Sequence, residues 1–244
     1  MKLSHMIGAV ALAAMTAGSA LADTVRMGTE GAYPPYNFIN DAGEIDGFER
    51  ELGDMLCVKA GLACTWVKND WDSIIPNLVS GNYDVIMAGM SITAERDQVI
   101  DFTQAYIPAT ESYYVAAAGS GLDLESSDTV IAAQVNTIQA GHVAESGATL
   151  VEFATPDETI AAVRNGEADA VLADDDYLKP IVAESGGELE IAGRVRLGGG
   201  VGLGIRESDQ ELRGKLDAAI AELKADGTVN KLLLKWFGDE APQW

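Results

Sequence analysis

With 244 residues, 48% of them hydrophobic and 7% aromatic, the chain has the apolar content for one large domain or two compact lobes, and this composition excludes disorder. Its 16 basic and 38 acidic residues leave a formal charge of −22. That field repels phosphate backbones and anionic headgroups, so nucleic acid is not an expected partner.

Residues 1–22 differ from the rest. Lys2 opens a short basic start, an apolar run spans Met6 to Ala17, and Ala20-Leu21-Ala22 matches the small-residue pattern read by signal peptidase. The expectation is a cleaved secretory signal and a chain that diffuses freely in a periplasm-like compartment. The run is too short to cross a hydrocarbon layer of ~30 Å, and no cysteine follows it for lipid attachment.

Beyond the signal, β-rich runs alternate with helical patterns, which predicts α/β units on largely parallel sheets. Val25 to Thr29 reads as a strand, and Gly31 to Gly43 as a loop bearing Pro and Asn. A helix follows over Glu49 to Ala60, with Leu52, Met55 and Leu56 at helical spacing, then a strand over Cys64 to Lys68. Ser73 to Ser80 reads as a helix capped by Asp72 or Ser73, and Asp84 to Met87 as a strand. A second series of similar design has strands at Tyr113 to Ala117, Thr129 to Ala133, Leu150 to Phe153 and Ala170 to Ala173. Its helices start at Thr137 and at Pro156 or Asp157, the latter ending at Asn165. The last predicted elements are helices from Asp209 to Ala225 and up to Phe237.

Between them lies Gly198-Gly199-Gly200-Val201-Gly202-Leu203-Gly204. No register there gives G-x-G-x-x-G, because the sixth position falls on Leu203, Ile205 or Glu207. A flexible connector and a close backbone crossing both remain open. With crossings near Ile107 to Thr110 and Gly198 to Val201, the expected division is residues 23–108 with 202–244 as one lobe and 109–201 as the other, a cleft lying between.

Cys57 and Cys64 are seven positions apart, and the only histidines are His5 and the distant His142. This argues against zinc and makes a disulfide the candidate pairing in an oxidising compartment. No nucleophile elbow, zinc-protease helix or phosphate loop occurs, so the common hydrolase and kinase signatures are missing. No metal or cofactor is expected, and a monomer is the default.

Polar groups collect at the carboxyl ends of predicted strands, where open α/β sheets place ligands. Glu30 follows the first strand, Ser91, Thr93 and Arg96 the third, Thr137 opens a helix, and Asp174 follows Ala173; Tyr33 and Trp71 lie in loops on the same rim. One cation, two carboxylates, hydroxyls and flat apolar faces suit a zwitterionic amino acid. A guanidinium grips an α-carboxylate through paired hydrogen bonds, helix-start N–H groups add to it, and an aspartate accepts from the α-ammonium. Aromatic faces sandwich an aliphatic stem, and Glu30 neutralises a cationic head. The blander readings are Arg96 paired with Glu95 or Asp97, Trp71 as core, and Asp174 to Asp176 as a helix cap and solvated run.

The stretch from Thr29 to Phe38, then Asp46-Gly47-Phe48-Glu49-Arg50-Glu51-Leu52, resembles the family 3 extracellular solute-binding proteins, which capture polar amino acids for ABC importers. The likeness continues through Trp71 to Leu78, Tyr83 to Arg96, Gly166 to Leu172 and Asp226-Gly227-Thr228, and members binding lysine, arginine, ornithine, histidine or opines are the most similar. The resemblance implies a two-lobed periplasmic-binding-protein type II fold closing on its ligand about two hinge crossings, with an ABC permease as membrane partner. It implies Arg96 as carboxylate anchor assisted by Gly89, Ser91 and the backbone at Thr137, Asp174 for the α-ammonium, Tyr33 and Trp71 as walls, Glu30 at the side-chain head, and a Cys57–Cys64 disulfide. Arg50 stands where an aliphatic residue is usual, Ala88 where basic-amino-acid binders carry Ser, and Gln134-Val135-Asn136-Thr137 lacks the usual Gly. The alternatives are an exported lyase similar to the cyclohexadienyl dehydratases on the same fold, with Glu30 as its acid, and a ligand-sensing subunit for a receptor.

Overall fold

A computed structural model describes residues 24–244. The expected signal, residues 1–22, lies outside the described residues. Two five-stranded sheets of the same plan organise the rest.

In chain order the first half runs β1 (Thr24–Thr29), β2 (Ala32–Tyr33), β3 (Asn37–Ile39), β4 (Ile45–Asp46), α1 (Phe48–Lys59), β5 (Ala63–Lys68), α2 (Ile74–Val79), β6 (Val85–Ile86) and β7 (Asp101–Phe102). The second half runs β8 (Ser112–Ala117), β9 (Val130–Gln134), α3 (Ile138–Ser146), β10 (Thr149–Phe153), α4 (Pro156–Asn165), β11 (Ala170–Asp174), α5 (Asp175–Glu184) and β12 (Leu189–Val195). The chain then returns to the first sheet through β13 (Gly204–Ile205) and closes with α6 (Gln210–Ala225) and α7 (Thr228–Phe237).

The sheet orders are β5-β1-β6-β13-β7 and β10-β9-β11-β8-β12. In each, three strands are parallel, the fourth runs against them, and the fifth is antiparallel to the fourth. Four of the five strands in each sheet thus run in one direction and only β13 and β8 oppose them, so the expectation of largely parallel sheets holds for strand direction, while the pairings beside those two strands are antiparallel. The carboxyl ends of β1, β6, β9 and β11 consequently open toward one another, which is where the polar rim gathers.

Local chemistry explains the helix that faces the rim and the one behind it. Thr137 caps α3, its hydroxyl oxygen accepting from the Ala140 N–H at 3.1 Å. Thr155 and Glu158 form a reciprocal capping box on α4, with Pro156 at the first helical position. The cap expected for residues 73–80 differs. A 3-10 turn at Trp71–Ser73 precedes α2, and neither Asp72 nor Ser73 caps it; the Ser73 hydroxyl is turned back to the Asp70 carbonyl.

The glycine run resolves as a close crossing. Val201 forms isolated antiparallel bridges with Ser91 and Ile107, so the two connecting stretches run beside each other. Gly200 has φ 96°, and a Cβ there would lie 2.8 Å from the Ile107 carbonyl oxygen. Only glycine fits. Cys57 at the end of α1 is disulfide-bonded to Cys64 on β5. Among the described residues no helix is long and apolar enough to cross a membrane, and no cluster of His, Cys, Asp and Glu could hold a metal ion.

Candidate functional site

All eight sequence-singled residues, Glu30, Tyr33, Trp71, Gly89, Ser91, Arg96, Thr137 and Asp174, line one narrow cavity of ≈30 Å³ between the two sheets. Ala88, Gln134, Gln139 and Thr159 complete its polar and small-residue lining.

At one end, Arg96 opens a 3-10 turn whose backbone N–H is held by the Thr93 hydroxyl at 3.1 Å. Its Nη1 donates to the Ser91 carbonyl at 2.9 Å and its Nη2 crosses the cleft to the Asn136 carbonyl at 3.1 Å. The guanidinium carbon lies 5.3 Å from the Trp71 ring centre, a favourable cation–π distance. Arg96 makes no ion pair with Glu95 or Asp97 among the described residues. Desolvation lowers its pKa to about 10, against the pull of Asp174 and Glu95. Asn136 has φ 58°, a left-handed conformation that Asn tolerates better than most residues, and this turn carries the carbonyl facing Arg96. The missing glycine of that segment thus has a workable substitute.

Asp174, the last residue of β11, occupies the N-cap position of α5 without capping it. Its Oδ2 accepts from the Tyr33 hydroxyl at 3.0 Å and its Oδ1 from Gln139 at 2.8 Å. Burial raises its carboxyl to about 6 despite these bonds and the field of Arg96. Asp175 and Asp176 beyond it are buried, not a solvated run. Tyr33 stacks on Tyr177, ring centres 4.4 Å apart. Trp71 is at once cavity wall and core: it is 8% exposed and packs with Ile74, Leu78 and Tyr83.

At the other end sits Glu30, 4% exposed. Its Oε1 accepts from Gln134 Nε2 at 2.6 Å, and the same amide donates to the Ala154 carbonyl at 3.1 Å. Burial drives the Glu30 carboxyl up to about 7; Gln134 and Lys68 pull it down, while Asp70 and Asp157 push it further up. The Thr137 hydroxyl is spent on the Ala140 N–H and the Gln134 carbonyl, so this residue serves the cavity through its helix start.

Gln139 and Thr159 were not singled out from sequence. Gln139 lies two residues past the helix start and could have been flagged by its proximity to Thr137; Thr159 sits inside α4, where nothing local marks it. The arrangement as a whole brings a cation, two carboxylates and two aromatic faces onto one cavity, with Trp71 against Arg96 and Tyr33 against Asp174. No strong nucleophile faces the cavity.

The sequence profile of the bacterial extracellular solute-binding proteins, family 3, matches residues 25–239. A crystal structure of a periplasmic His/Glu/Gln/Arg/opine family-binding protein from Silicibacter pomeroyi in complex with lysine is 73% identical, with a TM-score of 0.87 over 90% of this chain and 100% of that one. The L-arginine-binding protein of Pseudomonas aeruginosa is 30% identical over 252 residues, 97% of each chain. The lysine/arginine/ornithine-binding periplasmic protein of Escherichia coli is 32% identical over 254 residues, 96% of this chain and 95% of the other. The paired sheets have the two-lobed architecture of such proteins, the profile spans both of them, and the chain belongs to the bacterial extracellular solute-binding proteins, family 3.

Proposed function

We propose that the protein is the solute-binding component of an ABC importer and captures a basic amino acid such as lysine or arginine. The observation that carries this reading is Arg96. A half-buried guanidinium bonded only to backbone carbonyls faces the same cavity as the partly neutralised carboxylates Asp174 and Glu30. A zwitterion brings the missing anion to Arg96, its ammonium to Asp174, and a cationic head to Glu30. Gly89, Ser91 and the helix start at Thr137 flank the carboxylate, and Tyr33 and Trp71 hold the stem. The lysine complex of the 73% identical relative supports the same choice.

In this reading residues 1–22 are the export signal and the protein works in the periplasm. Residues 23–108 with 202–244 form one lobe and 109–201 the other, and the paired stretches at Ile107 and Val201 are the hinge. Ligand stabilises the closed form because only there do Arg96 and Asp174 act on one molecule. A permease then recognises closure. The protein is a carrier and not an enzyme.

The experiment is isothermal titration against the twenty amino acids, repeated with Arg96→Ala. Losing two charge-assisted hydrogen bonds predicts roughly hundredfold weaker binding of lysine. Unchanged affinity in the variant would remove the anchor from the reading. Glu30, with a carboxyl at about 7, is the candidate acid of the lyase alternative; turnover of prephenate or arogenate by the purified protein would establish it.

A further inference from the structure

Glu49 is fully buried in the first turn of α1, away from the cavity, yet its carboxylate is bonded to the parts of the chain that shape it. Oε1 accepts from the Gly89 N–H at 2.7 Å and from the Tyr106 hydroxyl. Oε2 accepts from Asn37 Nδ2 at 2.6 Å, and the Asn37 Oδ1 in turn accepts from the Gly31 N–H at 2.7 Å. Gly89 lines the cavity, Gly31 is next to Glu30, and Tyr106 donates its own N–H to Val201 in the paired connecting stretches.

We propose that Glu49 is the positioning residue of the binding site: one buried carboxylate ties the Glu30 loop, the Gly89 loop and the start of the Ile107 crossing to a single helix, fixing their spacing before any solute arrives. This rests on the reading of the cavity as an amino-acid site. A carboxylate suits the task because it only accepts, and all the groups that meet it are donors. Two of these donors have no water-facing alternative: Asn37 and Tyr106 are fully buried. Preorganisation of this kind acts on affinity by removing loop ordering from the cost of binding.

The order of donors and acceptors provides the test. In Glu49→Gln the amide oxygen still serves Gly89 and Tyr106, but its NH₂ now opposes the NH₂ of Asn37. Flipping Asn37 only moves the conflict to the Gly31 N–H. In Asn37→Asp/Glu49→Gln the sequence is restored, since an aspartate at 37 accepts from both the Gly31 N–H and the new amide. Lysine titration, thermal unfolding and amide hydrogen exchange at Gly31 and Gly89 are measured on all three proteins. We expect Glu49→Gln to weaken lysine binding by about tenfold and to speed exchange at both glycines, and the double variant to recover affinity to within about threefold of the original.

A single variant that melts lower but binds lysine as before makes Glu49 merely structural and overturns the proposal. So does a folded double variant no better than the single. Should Glu49→Gln fail to fold, recovery of folding and binding in the double variant supports the proposal, and continued failure overturns it. If the unaltered protein binds no amino acid, the proposed function falls on its own. Exchange at Gly31 and Gly89 then judges Glu49: faster and rescued supports it, unchanged refutes it.

Discussion

Capture of a cationic side chain at Glu30 should be linked to protons. With its carboxyl at about 7, Glu30 is ionised in roughly a tenth of molecules at pH 6, half at pH 7 and about nine tenths at pH 8. A lysine ammonium in contact with it favours the ionised form, so binding at pH 7 expels about half a proton. Asp174, raised to about 6, is about half ionised at pH 6 and nearly all ionised at pH 8. Together they predict that lysine affinity rises roughly twentyfold from pH 6 to pH 8. Glutamine engages Asp174 in the same way but brings no charge to Glu30, so its affinity should rise only about twofold over that range. Isothermal titration in two buffers of different ionisation enthalpy reads the proton directly, and Glu30→Gln should reduce the pH dependence of lysine binding to that of glutamine. Lysine affinity constant within twofold between pH 6 and 8, with no buffer-dependent heat, would refute this reasoning.

Two further predictions concern the scaffold. A Cβ on Gly28 would lie 2.6 Å from the ring of Tyr83, which is fully buried and donates its hydroxyl to the Ile74 carbonyl, so Gly28→Ala should cost about 1–3 kcal/mol, read as a lowered urea midpoint. Burial would raise the Asp84 carboxyl, but hydrogen bonds from Arg26 and Arg206 outweigh it and hold it at about 2. Because the folded value lies below the ordinary one, this group's stabilisation is complete above about pH 4, falls as pH drops through the interval, and is gone below about 2. Urea titrations from pH 2 to 5 should therefore show a steeper loss in the natural protein than in Asp84→Asn.

What could be read ahead of the structure follows from how local each feature is. Strands such as Val25 to Thr29 and helices such as 209–225 announce themselves through periodicity, and both appear within a residue or two. The missed elements have conflicting local signals. α5 begins with two aspartates behind a third at its N-cap and contains Pro180, a stretch whose bland reading is a helix cap and solvated run; it forms because Asp175 pairs with Lys179 at 2.8 Å and the face of Tyr177 and Leu178 is buried. β12 carries a bulge between Ile191 and Gly193 that breaks its alternation, and the two-residue β13 starts on the last glycine of the run. The segment 31–43, read as loop, contributes β2 and β3 to a small three-stranded sheet. Charged and aromatic residues at strand ends were legible because topology alone puts those ends at the cleft. Gln134, Gln139 and the role of Glu49 were not, since each acquires its partner from a segment distant in sequence.

Three hydrogen bonds across the cleft engage the proposed ligand residues: Tyr33 with Asp174, Gln134 with Glu30, and Arg96 with the Asn136 carbonyl. Affinity is then a difference, and a solute gains only where it offers a better partner than the one it displaces. In the proposed reading an α-carboxylate replaces neutral carbonyls at Arg96, and an α-ammonium replaces a phenol at Asp174; each puts a full opposite charge where a neutral partner stood and adds coulombic attraction to the hydrogen bond, so every α-amino acid gains at both. At Glu30 the displaced partner is a neutral amide already well placed. A cationic head improves on it, a side-chain amide merely equals it, and a side-chain carboxylate meets a like charge and forces Glu30 to stay protonated. Selectivity in this design is decided at one position, in the order basic, neutral polar, acidic. It should collapse toward the neutral class when Glu30 loses its charge, while Arg96 and Asp174 continue to hold the backbone of whatever enters.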